Sequence, residues 1–186
     1  MLLGTTSFAQ RPWVINGNIE VLNGVKKMNV QYDYSNMQVG RKSETDYVGE
    51  KTEIYNDRQP GKGDKWAKNW VDDRQARFEP MFEVEFNKRG AIQVGSFPNE
   101  KYTLIFRTLR TEPGYNVGIQ RRNAYIDCQV SIVETANQNN IICTIQIKNC
   151  QGHTFWGMDF DTGERIKEAY ATAGRVLAKY FRKNLD

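Results

Sequence analysis

The chain has 186 residues, of which 39% are hydrophobic and 26% are charged, and this composition predicts a folded domain rather than a disordered chain. Its 26 basic and 22 acidic residues give a formal net charge of +4. The basic residues are spread along the whole chain. So small and scattered an excess argues against nucleic acid as a partner, because nucleic-acid binding needs a dense basic patch.

The N-terminal stretch MLLGTTSFAQ predicts the remnant of a secretory signal peptide. Ser7-Phe8-Ala9 fits the small-x-small rule for signal cleavage. Residues 1–9 are therefore interpreted as the remnant and residues 10–186 as a single domain; the alternative is an ordinary cytosolic N-terminus. From the signal remnant we expect a periplasmic or secreted protein. No segment reaches the roughly 18 apolar residues of a membrane span, so we expect no transmembrane helix.

The first third of the chain predicts two strands and a helix. Asn23-Gly24 separates two strand-like runs and is the favoured pair for a type I′ hairpin. After it, residues 28–34 alternate between apolar and polar side chains, as in a strand with one buried face. Ser43 is a suitable N-cap, and the acidic residues that follow favour a helix over about 44–57.

A second helix follows the breaker QPGKGD. Trp66 and Trp70 are four residues apart, and phenylalanines recur every four residues at 78, 82 and 86. Pro80 removes a backbone donor, so the helix either kinks there or restarts with Pro80 in its first turn. Gly90 is placed to end it as a left-handed C′ residue.

Four strand-like runs come next: AIQVGSF, KYTLIFRTLRT, AYIDCQVSIVETA and IICTIQIKNC. Their alternation predicts antiparallel strands with one covered and one wet face. NQNN, between the last two runs, predicts a hairpin loop.

The chain closes on a strongly patterned helix after Asp161, which with Glu164 forms a capping-box variant. Its apolar stripe recurs at intervals of four, three, four and four: Ile166, Tyr170, Ala173, Leu177 and Phe181. Small residues at 169, 173 and 174 would let the helix sit close to a sheet. The order ββ-αα-ββββ-α predicts an α+β two-layer sandwich, a mostly antiparallel sheet with helices packed on one face.

Motifs for several chemistries are missing from the sequence. It contains no G-x-G-x-x-G, P-loop, H-E-x-x-H, C-x-x-C or G-x-S-x-G. Its one histidine, His153, follows Cys150 at the spacing C-x-x-H, but two ligands do not make a zinc site. DFDTGE at 159–164 is interpreted as a helix cap rather than a calcium loop. We therefore expect no catalytic residue, no cofactor and no metal.

The three cysteines are Cys128, Cys143 and Cys150. An odd number leaves at least one unpaired within the chain. Cys128 and Cys143 lie on the apolar faces of predicted strands, so buried free thiols are the default expectation. An oxidising periplasm could still join two of them.

The segment TEPGYNVGIQRRNA, residues 111–124, is the candidate partner or ligand surface. Pro113-Gly114 fits a type II turn. Tyr115, Asn116, Arg121 and Arg122 would present a ring, an amide and two guanidinium groups to a partner. The alternative is a long connection with solvated arginines.

The four tryptophans differ in what their positions predict. Trp13 and Trp156 lie outside clear periodic elements, so they are candidates for exposure and for stacking on sugars. Trp66 and Trp70 are expected in the core. Trp156 is therefore added to the candidate surface.

Two segments, YTLIFRTLRTEPGYNVGIQRRNAYIDCQVSIVETAN and GMDFDTGERIKEAYATAGRVLAKYF, resemble a family of secreted Bacteroides-type proteins of unknown function. A fainter likeness, in strand–helix order and in the small-residue last helix, is to Gram-negative envelope lipoproteins such as the periplasmic domain of the curli secretion channel. The resemblance implies an envelope location and transfers no catalytic residue.

The sequence therefore favours a non-enzymatic envelope interaction or assembly module, whose partner is an envelope protein or another copy of the chain. One alternative is a protein that binds a glycan or another small ligand. A second is a hydrolase that uses carboxylates, which cannot be chosen among 22 acidic residues from sequence.

Overall fold

A computed structural model describes the backbone of residues 10–117, 120–152 and 161–185, and the side chains of these ranges apart from 116–121. The strands are β1 (Trp13–Gly17), β2 (Lys27–Asp33), β3 (Gln38–Val39), β4 (Lys42–Ser43), β5 (Gln93–Gly95), β6 (Tyr102–Glu112), β7 (Tyr115–Val117), β8 (Gln120–Arg122), β9 (Tyr125–Glu134) and β10 (Asn137–Gln151). The helices are α1 (Glu44–Arg58), α2 (Lys62–Asp73), α3 (Glu79–Asn87) and α4 (Thr162–Asn184), with a 3-10 turn at Glu20–Leu22 and a π-helical turn at Arg74–Phe78. The predicted α+β class is confirmed.

The main sheet has eight strands, with the order β1-β10-β9-β6-β2-β5. The pairs among β1, β10, β9 and β6 are antiparallel. β2 pairs in parallel with both β6 and β5, and β3, which forms a short hairpin with β4, continues beside the far end of β6. The predicted antiparallel pairing therefore describes one side of the sheet, and the other side is parallel.

The hairpin predicted at Asn23-Gly24 is wrong. Asn23 has φ −58° and ψ 129° and Gly24 has φ 79°, as in a type II turn, and this turn follows the 3-10 segment. β1 pairs with β10, and β2 pairs with β5 and β6. A glycine with positive φ serves a type II turn as well as a type I′ turn, so the local signal did not specify which strands pair.

The hairpin between β9 and β10 turns earlier than predicted. Its turn is at residues 135–136. NQNN forms the exposed start of β10, where an irregularity lies between Asn137 and Ile141. As a result Ile141, predicted on the buried face, is 50% exposed, while Cys143, Ile145 and Ile147 are buried as predicted.

The helices pack on one face of the sheet, as predicted. The β9 residues at 126, 128, 130 and 132 are fully buried, while those at 127, 129 and 131 are only half-buried. The predicted stripe of α4 is buried along its whole length. Phe106 of β6 contacts both α3 and α4, with its ring centre 4.6 Å from that of Phe82 and 5.6 Å from that of Tyr170.

Pro80 is accommodated by the π-helical turn that joins α2 to α3. Within this turn the N–H of Glu79 donates to the carbonyl oxygen of Arg74, five residues earlier. Because proline cannot donate a backbone hydrogen bond, the extra residue lets the helix restart with Pro80 in the first turn of α3. α3 ends at Asn87, and Gly90 does not take the predicted left-handed conformation.

The predicted N-caps of α1 and α4 are present. The Ser43 side chain accepts the N–H of Asp46 at 3.1 Å, and Asp161 accepts the N–H of Gly163 at 2.8 Å. Glu164 does not complete a capping box, because its carboxylate pairs with Arg77 and Lys167.

Of the small residues of α4, Gly174 serves a different contact from the one predicted. A Cβ at Gly174 would lie 2.5 Å from the carbonyl oxygen of Phe82, so this position packs closely against α3 rather than the sheet.

Candidate functional site

The predicted loop 111–124 folds as a small antiparallel ribbon beyond the end of β6. β7 pairs with β8, so that Tyr115 lies opposite Arg122 and Asn116 lies opposite Arg121. The Tyr115 side chain is 43% exposed, and Arg122 is also exposed. Four of the five predicted surface residues are therefore brought together on one ribbon.

The base of this ribbon is tied to the rest of the fold. Gly114 has φ 65°, and a Cβ there would lie 2.3 Å from the carbonyl oxygen of Arg122, so the position requires glycine. The positive φ agrees with the predicted turn. The buried guanidinium of Arg165 donates through Nε to the carbonyl oxygen of Pro113 at 3.0 Å. The ribbon therefore projects from an anchored base on α4.

One edge of the main sheet is an exposed apolar strand. β1 pairs with β10 and with no other strand that the structure describes. Trp13, Val14 and Ile15 are 40%, 38% and 52% exposed, so the exposure expected for Trp13 is confirmed. A sheet edge with exposed apolar side chains is a template for pairing with another chain.

The opposite edge is capped. β5 is three residues long, and the side-chain amide of Asn87 lies against its outer side. Asn87 Nδ2 donates to the carbonyl oxygen of Val94 at 2.9 Å, and its Oδ1 accepts the Val94 N–H at 2.8 Å. One asparagine thus supplies both hydrogen bonds that a further strand would make at Val94.

A cleft of about 460 Å³ lies between α1, α2 and the first turn of α4. Three aromatic rings form one wall: the Trp66 ring centre is 5.7 Å from that of Tyr55 and 5.6 Å from that of Trp70. Polar groups form the other wall: Asn69, Asp72, Asp73, Arg77, Asp161 and Thr162. An aromatic wall with a few convergent polar groups is typical of small-ligand sites.

Arg77 organises the carboxylates of this cleft. Its Nη1 lies 2.7 Å from Asp161 Oδ2 and its Nε lies 3.0 Å from Asp73 Oδ1. Burial raises the pKa of Asp73, and Arg77 opposes that rise. Burial also acts to raise the pKa of Asp161, but hydrogen bonds from Arg77 and from the Gly163 N–H outweigh it and leave this pKa lowered. The cleft therefore presents the carboxylates of Asp73 and Asp161 as hydrogen-bond acceptors, and Arg77 holds both in place.

Two predicted residues, Trp156 and His153, lie outside the described residues. Across 10–117, 120–152 and 161–185, no group of three or more His, Cys, Asp or Glu side chains is arranged to hold a metal ion. Among the helices described, none has the combined length and apolarity needed to cross a membrane.

The cleft and both edges were missed by sequence reasoning. Trp70 is buried as expected, but Trp66 is half-buried and lines the cleft. Arg77 and Asp161 are 84 residues apart in the chain, and nothing local marks them as neighbours. The tryptophan pair at i, i+4 was the one available signal, and it fits a core as well as a site.

No protein-family profile and no curated protein matches the chain. Among solved structures, a PelC dodecamer from Paraburkholderia phytofirmans is similar with a TM-score of 0.40 and 11% sequence identity, over 87% of this chain and 97% of that chain. A substituted form of PelC from the same organism gives a TM-score of 0.38 and 12% identity, over 89% and 98% of the two chains. Similarity at this level carries no argument about function.

Proposed function

We propose that this chain is a secreted or periplasmic, non-enzymatic interaction and assembly module of the bacterial cell envelope, and a member of the Bacteroides-type family that its sequence resembles. The contrast between the two sheet edges supports this role. β1 is exposed and apolar along its free edge, while the Asn87 amide covers β5. The partner is an envelope protein or a second copy of the chain, and it adds a strand beside β1.

Strand addition fits the chemistry of β1. In this mode of binding the main chain supplies hydrogen bonds and alternate side chains supply specificity. Trp13, Val14 and Ile15 offer large side chains at consecutive positions, with a register irregularity between Val14 and Asn16. A partner strand would therefore bury apolar surface together with the free edge.

The test combines crosslinking in cells with the molar mass of the purified protein by light scattering. The wild-type chain, exported with a complete leader and tagged at its C-terminus, should capture itself or a recurrent envelope protein. Ile15→Lys should lose that capture, because an edge lysine blocks strand addition. A wild-type chain that stays monomeric and captures nothing would overturn the proposal.

Val84→Lys is the matched control. Val84 is 57% exposed on α3, close to the 52% of Ile15, but it is not on β1. It should leave capture unchanged. Equal losses in the two variants would assign the effect to surface charge rather than to the edge.

The cleft favours a second candidate function, the binding of a neutral saccharide. A half-exposed indole can stack on the C–H face of a sugar ring, and carboxylates accept hydrogen bonds from its hydroxyl groups. Trp66 supplies such a ring, and Asp73 and Asp161 supply acceptors beside it. The charge of Arg77 offsets part of their charge, which suits an uncharged polyol.

Tryptophan fluorescence tests this function, with soluble oligosaccharides of glucose, mannose and N-acetylglucosamine as probes. Binding should give a saturable change that Trp66→Ala and Asp73→Asn abolish. Trp13→Ala is the control, since it removes an exposed tryptophan of β1 that does not line the cleft. No saturable change with any probe, or a loss on Trp13→Ala alone, would exclude a saccharide site in the cleft.

A further inference from the structure

The three cysteines occupy two adjacent strands. Cys128 lies in β9, and Cys143 and Cys150 lie in β10; all three are fully buried. In the β9–β10 ladder Cys128 is opposite Ile147, and Cys150 is opposite Ile126. Cys128 and Cys150 are therefore diagonal neighbours across the two strands.

A bulge in β10 places Cys150 on the same face as Cys128. From Ile147 to Cys150 the chain advances three residues, while β9 advances two, from Cys128 to Ile126. Because side chains alternate along a strand, an uninterrupted β10 would turn residue 150 away from the face that buries Ile147. The extra residue reverses that alternation and directs Cys150 into the core.

Asn149 fixes this bulge. Its φ is 55°, a left-handed conformation that asparagine tolerates better than most residues. Its N–H donates to Asp127 Oδ1 at 2.7 Å, which holds the bulged strand against β9. The position of Cys150 is therefore a built feature of the hairpin rather than a loose strand end.

Cys128 and Cys150 lie in the core on the same face of neighbouring strands. Burial raises the pKa of Cys128, and the neighbouring Cys150 adds to that rise, so the Cys128 thiol stays protonated in the reduced chain. Cys143 is too far away to compete. It precedes Ile147 by four residues, or roughly 13 Å along a strand, whereas bonded cysteines have Cα atoms about 4.4–6.8 Å apart.

We propose that Cys128 and Cys150 form a disulfide when the chain folds in an oxidising compartment, and that Cys143 stays a free thiol. The oxidant is the disulfide of a thiol oxidase or of oxidised glutathione. Two thiol–disulfide exchanges form one bond between the two sulfur atoms. The cysteines give up two electrons and two protons, and the oxidant disulfide is reduced to two thiols. Both sulfur atoms are buried in the folded chain, so the exchange takes place during folding.

Alkylation of the denatured protein without reductant tests the pairing. The chain is produced twice, once with a periplasmic leader and once in a reducing cytoplasm. The exported chain should take up one alkyl group, at Cys143, and peptide mapping should find Cys128 linked to Cys150. The cytoplasmic chain should take up three. Three alkyl groups on the exported chain, or a linkage through Cys143, would overturn the proposal.

Two variants and one refolding experiment complete the test. Cys143→Ala should keep the linked peptide, and Cys150→Ala should leave two alkylated cysteines. Of the proposed function, the disulfide depends only on the location of the chain in an oxidising compartment. Refolding the cytoplasmic chain in a glutathione redox buffer therefore tests the pairing separately from export. A chain that pairs Cys128 with Cys150 in the buffer but is never exported would refute the proposed function and keep this inference.

Discussion

The two edges of the main sheet are finished in different ways. At the β5 edge, the Asn87 amide satisfies both backbone groups of Val94. At the β1 edge, three large apolar side chains are exposed and no further described strand follows. Proteins usually blunt a sheet edge to prevent unwanted pairing; in the described part of this chain one edge is blunted and the other has no cover.

The capped side is also held by α3 from above. Tyr32 of β2 donates its hydroxyl to the Glu83 carboxylate at 3.1 Å, and Tyr34 donates to the Glu79 carboxylate at 3.2 Å. α3 therefore supplies both the cap of β5 and the polar contacts over β2. Side-chain hydrogen bonds therefore hold the β5 edge, whereas the β1 edge is the one that the proposed function assigns to a partner strand.

Removing the β5 cap should have the largest effect on stability. Asn87→Ala leaves the N–H and the carbonyl of Val94 without partners, and should cost about 1–3 kcal/mol in the free energy of unfolding. Asn87→Asp keeps the acceptor for the N–H and loses the donor, so it should cost less. Chemical denaturation measures both. Equal stability of wild type and Asn87→Ala would mean that water caps this edge as well as asparagine does.

The attachment of β1 should depend on Gly17. It has φ 74°, and a Cβ there would lie 1.9 Å from the carbonyl oxygen of Ile142. Gly17→Ala should cost on the order of 1 kcal/mol or more, speed hydrogen exchange in β1 and weaken partner capture. Gly24→Ala is the control, because Gly24 has φ 79° but nothing within 4 Å of the added Cβ. Equal effects in the two variants would leave backbone strain, and not the contact with β10, as the cause.

Glu83 should make the capped side depend on pH. Burial raises its pKa, although the hydrogen bond from Tyr32 opposes the rise. As pH rises, the Glu83 carboxyl therefore loses its proton first in the unfolded chain, above about pH 4.3, and only later in the folded chain. Between these two pKa values the contribution of Glu83 to the free energy of unfolding falls. Glu83→Gln should raise the free energy of unfolding at neutral pH by about a few tenths of a kcal/mol, given solvent screening.

Thermal melts at neutral pH and below the usual glutamate range check this dependence. The gain from Glu83→Gln should disappear in acid, where the wild-type carboxyl is protonated in both states. Glu53→Gln, at an exposed position of α1, controls for the change in net charge. A gain that is the same at both pH values would rule out the titration of Glu83 as its origin.

Arginine substitution in the ribbon should have the smallest effect. Arg122 is exposed on β8, so Arg122→Ala should change stability by less than about 0.5 kcal/mol. Arg121→Ala together with Arg122→Ala should reduce partner capture less than Ile15→Lys does. Capture lost in the double arginine variant but kept in Ile15→Lys would transfer the proposed interface from β1 to the ribbon.

Patterns within one element were predicted well. The stripe of α4 and the alternation in β9 are buried as expected, because each records a single face turned toward the core. The candidate residues Tyr115, Asn116, Arg121 and Arg122 lie on paired strands, with Tyr115 opposite Arg122, but their role as a binding surface stays a prediction.

Features that join distant segments were not predictable. Asn23-Gly24 predicted a hairpin because the pair fits one. The flanking strands pair elsewhere, β1 with β10 and β2 with β6, and these contacts are distant in sequence. The Asn87 cap depends on where α3 ends relative to β5, and the cleft depends on α2 meeting α4. Nothing in the spacing of Asn87, Arg77 or Asp161 marks these contacts, because they arise when separate elements are packed.

The π-helical turn at Arg74–Phe78, which joins α2 to α3, changes the direction in which the side chains after it point around the helix axis. Each residue of an α-helix adds about 100° of rotation, so one extra residue turns everything after it by roughly that angle. Before the turn, Trp70 faces Tyr47 of α1; after it, Phe82 faces the sheet and Phe86 faces α4. Deleting one residue here would leave the composition of the helix almost unchanged. It would rotate α2 relative to α3, so that either Trp70 would lose its contact with α1 or Phe82 and Phe86 would lose theirs with the sheet and α4.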